Sequence, residues 1–249
     1  MNEVIQQLYD RKSVRAFTDQ PIDESIVQDI LRSAAMAPTA GNQQLYTILR
    51  ITDKALLAQL AESCDHQPFI AKGKLVLVFC ADCLKWYDAF RAAGCEPRTP
   101  GPGDLLLAVN DALIAAQNTV VAAESYGIGS CYIGDIMENI ETHRKLLGLP
   151  EYVFPAALLV FGYPTEQQKE RQKPQRVDMQ YIVHENQYKR MGNEELKNMF
   201  SIKATNGDYS AWISAFCSMK YNSDFAREMS RSVGEYLKQY VQDPGEVKE

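Results

Sequence analysis

Residues 104–126, DLLLAVNDALIAAQNTVVAAESY, constrain the fold of this chain more than any other stretch. Apolar side chains cover most of the circumference of the helix they predict, and a helix of that kind has to be buried on several sides. Asp104 is placed to cap its start and Gly127 to end it. The shorter segments must therefore pack around it.

Those segments mix helices with a few strands. Residues 2–11 and 23–37 carry apolar positions at helical spacing, with Asp23 as the N-cap of the second helix and Pro38 beyond its end. YTILRITD and KLVLVFCAD are β-branched and apolar and predict strands, with the helical KALLAQLAESC between them. PRTPGPGD, residues 97–104, holds three prolines and two glycines and predicts a loop. ENIETHRKLLGLP predicts a helix stopped by Gly148 and Pro150, and FPAALLVFGYP a buried strand. Residues 164–190 are polar with little periodicity, too long for an internal loop, and are expected to wrap over something such as a partner subunit. Helices follow near 193–200 and over YNSDFAREMSRSVGEYLKQY. The regular alternation of a doubly wound sheet is missing, so the fold class is α+β. The expected division is a core over 1–163 and a C-terminal arm with helices over 164–249.

The chain has 249 residues and a formal net charge of -6, which gives no general attraction to nucleic acid or an anionic membrane. No apolar stretch of signal-peptide length opens it, and a cytoplasmic protein is expected. Cys80 and Cys83 form a C-x-x-C, but no second such pair and no ligand-like histidine spacing accompany them. Two cysteines at the end of a buried strand are expected, with no metal site.

Against that acidic background stands RKSVR. On extended backbone Arg11, Ser13 and Arg15 share one side, while Lys12 and Val14 face the other. Two guanidinium forks flanking a hydroxyl suit a phosphate, and a solvated basic turn has the same spacing. RQKPQR supplies Arg171, Lys173 and Arg176 as a second cluster that could meet the same dianion. GIGSCYIGD, residues 127–135, is not a dinucleotide fingerprint. Its Gly134 would let backbone approach a flat ligand, or the segment is a plain strand entry. APTAGNQQ offers Thr39, Asn42, Gln43 and Gln44, neutral groups suited to the edge of a polar heterocycle or to an ordinary connection.

Together, RKSVRAFTDQPI, AAMAPTAGNQQ, YGIGSCYIGDI and the KPQR segment resemble the FMN-dependent nitroreductase family, most closely its NADPH-dependent nitroreductase and flavin reductase branch. The resemblance covers residues 1 to about 190. It implies a mainly antiparallel sheet flanked by helices, and a homodimer that exchanges C-terminal segments. It implies bound FMN, with NADPH or NADH as co-substrate and a small-molecule acceptor: a nitroaromatic, a quinone or free flavin. By that resemblance Arg11, Lys12, Ser13 and Arg15 bind the phosphate, joined by Lys173 and Arg176, with Gln175 competing for the last place. Thr39, Asn42, Gln43 and Gln67 line the flavin, and Tyr132, Ile133, Gly134 and Asp135 lie beside its ring, with the Gly134 backbone at N5. No protein nucleophile is required. Lys220, Arg227 and Arg231 are candidates for the nicotinamide nucleotide's extra phosphate. A flavin reductase releasing reduced FMN and a non-catalytic flavin-binding protein are the alternative readings.

Overall fold

The structure, a computed structural model, describes residues 1–204 and 207–241. The described residues form two compact units, 1–171 with 229–241, and 172–204 with 207–228. In the first unit α1 (Glu3–Asp10) and α2 (Glu24–Ala35) precede β1 (Tyr46–Arg50), α3 (Lys54–Ser63), α4 (Phe69–Lys72) and β2 (Leu75–Asp82). Then come α5 (Leu84–Ala92), α6 (Pro102–Ser125), β3 (Gly129–Ile133), α7 (Ile140–Leu147), β4 (Val153–Gly162) and α8 (Glu166–Glu170). The second unit holds α9 (Asn193–Ser201), α10 (Tyr209–Lys220) and the start of α11 (Asp224–Leu237), whose remainder belongs to the first.

The four strands run in the order β1-β2-β4-β3, every neighbouring pair antiparallel. The expected α+β class with an antiparallel sheet is what the chain adopts. Both faces of the sheet are covered. On β2, Leu75, Leu77, Phe79 and Ala81 enter one core cluster, and Val76, Val78 and Cys80 enter the other, as a two-residue period requires. On β4 the parity changes. Phe154 and Ala156 share a cluster with Leu159 and Phe161, while Leu158 and Val160 lie on the opposite face. The cause is a register shift between Phe79 and Cys80, where Ala157 and Pro155 are the successive partners and Ala156 is left over. One extra residue flips every later side chain, and the interrupted ladder also accommodates a proline within a central strand.

α6 is long and apolar enough by composition to span a bilayer. Leu105, Ala108, Ala112, Ala115, Ala116, Val120 and Ala123 are instead buried in the core cluster that it shares with α2 and the sheet. The helix begins at Pro102, two residues before the expected Asp104 cap. Proline at the first helical position has its φ preset and needs no N–H partner there. Asp104 acts from the third position, accepting the Gly101 N–H at 2.7 Å. At the other end Gly127 adopts the left-handed conformation, as expected, with φ 70°.

The compact units do not divide at residue 163. α8 stays with the core, and so does the end of α11, where the Ser232 hydroxyl accepts the Ile140 N–H and donates to the Met137 carbonyl. Helices α5 and α10 had no sequence expectation. α10 (YSAWISAFCSMK) has apolar residues on several sides, which hides its period. In its unit Trp212 stacks on Phe216 at 5.1 Å.

Cys80 and Cys83 are both buried, yet they belong to opposite core clusters. Burial pushes each thiol up to about 12. They are the strand-end cysteines that the sequence predicts.

Candidate functional site

The N-terminal stretch reaches the site because two glycines admit it. Ser13 forms a parallel bridge with Ser130, and Phe17 an antiparallel one with Pro164. A Cβ on Gly129 would stand 2.6 Å from a Val14 methyl, and one on Gly162 would stand 2.7 Å from the Phe17 ring. Only bare backbone on β3 and β4 lets the stretch lie this close. The Val14 N–H donates to the Ser130 carbonyl at 2.9 Å, which fixes the register.

The alternate residues then separate as expected. Arg11, Ser13 and Arg15 gather around Cys131. Burial raises that thiol's pKa, while the Arg15 and Arg11 charges and a hydrogen bond with Ser13 pull it back down. Two nitrogens of Arg11, Nε and Nη2, are buried without a hydrogen-bond partner, as is the Ser130 hydroxyl. Buried guanidinium N–H groups left without a partner call for an acceptor, and an anion suits them best. Arg11 also faces Tyr132, whose phenol burial pushes up to about 12 and the guanidinium pulls back.

Lys12 departs from the expected set. Its ammonium donates to the carbonyls of Lys169 and Arg171. Arg171 in turn donates to the Ser13 carbonyl, and Gln168 accepts the Arg15 N–H at 3.2 Å. The residues around α8 thus brace the backbone of the cationic stretch.

Thr39, Asn42 and Gln43 lie in one short segment organised by Asp111, a buried carboxylate of α6 that sequence reading passed over. Its oxygens accept the Thr39 hydroxyl, the Ala40 N–H at 3.0 Å and the Leu45 N–H at 3.2 Å. The Thr39 oxygen also accepts the Gln44 N–H at 2.7 Å. Thr39 therefore spends its hydroxyl proton on the protein. Asn42 takes a positive φ of 56° and is exposed. Gln43 presents its carbonyl to the Trp86 indole N–H at 2.8 Å. An acid standing alone in the apolar run VNDALIAA was the available signal for Asp111.

Gln67 follows two left-handed residues, Asp65 and His66, and donates to the Cys64 carbonyl at 2.8 Å. Tyr132 is half-buried and Ile133 is buried at the end of β3. Gly134 is exposed with a φ of -79°, and a Cβ there would meet only a Met137 methyl at 3.8 Å. Its own backbone does not demand glycine, and the space above it is open to a flat molecule. Asp135 follows and accepts the Glu138 N–H. Lys173, Arg176, Lys220 and Arg227 belong to the 172–228 unit. Arg231 is committed to Glu141 through two contacts of 2.9 Å.

The Nitroreductase family profile matches residues 8–163. The chain belongs to the nitroreductase family. The FMN reductase [NAD(P)H] of Bacillus subtilis is 31% identical over 95% of this chain and 91% of that protein. The oxygen-insensitive NADPH nitroreductase of Salmonella typhimurium is 32% identical over 85% of this chain and 88% of its own length. Among solved structures, the NADPH:FMN oxidoreductase of Vibrio harveyi complexed with NAD+ superposes with a TM-score of 0.81 at 26% identity, covering 95% of this chain and 98% of that one.

The residues of the first unit fit the FMN that such relatives are named for. Unpartnered donors of Arg11 and Ser130, with Ser13 and Arg15 beside them, suit the phosphate. The open space at Gly134 suits the ring.

Proposed function

We propose that this chain is an FMN-dependent oxidoreductase that takes hydride from NADPH or NADH and reduces nitroaromatic, quinone or flavin-type acceptors. The observation that carries the reading is the Arg11 side chain, whose Nε and Nη2 are buried without a hydrogen-bond partner, in a family whose named members are FMN reductases and NADPH nitroreductases. Bound FMN supplies the two-electron chemistry, exchanging hydride at its N5. The protein's own residues bind, orient and exclude water.

Arg11 and Arg15 hold the phosphate dianion, with Ser13 as a neutral donor. Lys12 is reassigned to bracing the stretch, since its ammonium is spent on two carbonyls. Thr39 holds the 39–45 segment through Asp111, so that Asn42 and Gln43 can meet the flavin edge. Gln67, Tyr132, Ile133 and Asp135 would line the flavin, and the Gly134 backbone N–H would be the donor beside it. The roles of Lys173 and Arg176 on the phosphate rest on the family resemblance alone. The enzyme is a cytoplasmic homodimer in this reading. Its support is the exposed apolar set Val4, Ile5 and Leu8 of α1 with Leu106, Leu113 and Ile114 of α6.

The test is the absorbance of the purified protein under anaerobic conditions, before and after NADPH. Flavin bands that bleach within seconds support the oxidoreductase. A protein that holds FMN without bleaching is a binding protein, and one that takes up no FMN refutes the assignment. Arg11→Ala with Arg15→Ala is expected to weaken FMN retention at least about 100-fold, the loss of two charge-assisted contacts.

A further inference from the structure

α7 starts without a cap of its own. Its N-cap residue, Asn139, lies in the left-handed region with φ 50°, and its side chain caps nothing in the first turn. The Asn139 amide instead donates to the Ser63 carbonyl at 3.2 Å. The opening N–H of the helix, that of Ile140, needs an acceptor from elsewhere, because Ile140 is buried away from water. Ser232 supplies it from the middle of α11. Its hydroxyl, on a fully buried residue, accepts the Ile140 N–H at 3.0 Å and donates to the Met137 carbonyl at 2.7 Å.

Both partners belong to the stretch that follows β3. Asp135–Met137 form a single 3₁₀ turn. It is closed by the Met137 N–H on the Gly134 carbonyl and the Glu138 N–H on the Asp135 carbonyl, each at 3.0 Å. Such a short turn fixes many dihedrals for few bonds and is marginal by itself. Gly134 has no side chain to hold it, and a Cβ there would meet only the Met137 methyl. Its position is inherited from Met137. Two bonds run in series from α11 to Gly134: the Ser232 hydroxyl to the Met137 carbonyl, and the Met137 N–H to the Gly134 carbonyl.

We propose that Ser232 is a positioning residue for the flavin: it sets the 134–137 turn, so that the Gly134 backbone is in place before FMN binds. This rests on the oxidoreductase reading, which puts the Gly134 N–H beside the flavin. Being fully buried, Ser232 acts through Met137 rather than by contact. A turn held in advance need not be ordered during binding, which favours affinity.

Two measurements on the full chain test this. FMN affinity is measured by equilibrium dialysis, and amide exchange of the FMN-free protein is read by peptide mass spectrometry. Ser232→Ala is expected to bind FMN about 10-fold more weakly, because the turn must then be ordered during binding. Exchange should rise about 10-fold over residues 134–140, the stretch that loses its anchor. Ser232→Cys, similar in shape but a weaker donor and acceptor, should show both changes in smaller measure, and it stands in if the alanine variant does not fold. Val233→Ala loosens the packing of the same helix without touching the turn. Its urea midpoint should drop while FMN affinity stays within about 2-fold of the wild type. Unchanged FMN affinity in Ser232→Ala, with exchange raised, overturns the proposal, since the flavin would then not need the turn. So does exchange that stays flat. So does a Val233→Ala loss of affinity as large as that of Ser232→Ala, which would make helix packing the cause. In each of these the wild type binds FMN. A wild type that takes up no FMN refutes the oxidoreductase reading itself, and the proposal with it.

Discussion

The Asp111 carboxylate and the Thr39 hydroxyl meet across 72 residues of chain, joining the middle of the buried helix α6 to the segment assigned to the flavin edge. Asp111 is 3% exposed, and the same carboxylate takes two backbone N–H groups of that segment. Asp111→Ala would leave the N–H groups of Ala40 and Leu45 without acceptors, at a cost of about 3 kcal/mol. The urea unfolding midpoint is expected to drop accordingly. Asp111→Asn keeps one acceptor oxygen and should lose less. Equal losses in the two variants would show that the hydrogen bonds are not what counts.

Gly129→Ala tests how the cationic stretch is seated. The added methyl would stand 2.6 Å from Val14, and the overpacking should cost about 2 kcal/mol. Val14→Ala in the same chain is expected to recover part of that loss and part of the FMN retention. A double variant no better than the single one would mean that Val14 is not the obstacle.

His143 gives the fold a pH dependence. It is fully buried between α3 and α7, with Nδ1 on the Glu138 carbonyl at 2.6 Å and Nε2 at 2.9 Å from the Ser63 hydroxyl. Burial lowers its pKa below the ordinary histidine value. The unfolded chain binds the proton near pH ~6.5, and the folded protein only at lower pH. The unfolded state therefore holds more protons between the two values. Stability is full above about 6.5 and falls as pH drops toward the folded value. Urea midpoints measured from pH 8 to 5 should decline through this window, more shallowly in His143→Gln. An unchanged slope in the variant would assign the decline to other groups.

Thiol chemistry should stay out of the reaction. Cys95 and Cys217 are exposed, while Cys64, Cys80, Cys83 and Cys131 are buried. An aromatic disulfide reagent is expected to react promptly with two thiols in the native protein and with all six after unfolding. Cys80→Ser with Cys83→Ser should leave bleaching of the flavin by NADPH in place, and abolition of bleaching would restore a thiol role.

Much of this architecture is legible along the chain because it is written in local periods. β2 and β4 are continuous apolar runs, as strands covered on both faces must be. α6 announces itself by length and composition. The alternation of Arg11, Ser13 and Arg15 is likewise local, and it survives in space. What could not be read depends on distant partners. Alternation turns Lys12 away from Arg11 and Ser13, but the carbonyls of Lys169 and Arg171 that receive its ammonium lie far off in sequence. Thr39 passed for a ligand contact because Asp111 lies far away in sequence. The register shift in β4 does not show in its hydropathy, since side chains of both faces are apolar there, and only Pro155 inside the run marks it.

The Ser13–Ser130 bridge has a further consequence. β3 is the last strand of the sheet on its side, and an uncovered last strand offers its backbone to any passing chain. The Val14 N–H occupies one of those carbonyls. The residues that carry the cations therefore also shield a sheet edge. Trimming the N-terminus back past Phe17 would remove both at once, turning loss of the phosphate clamp into a solubility defect.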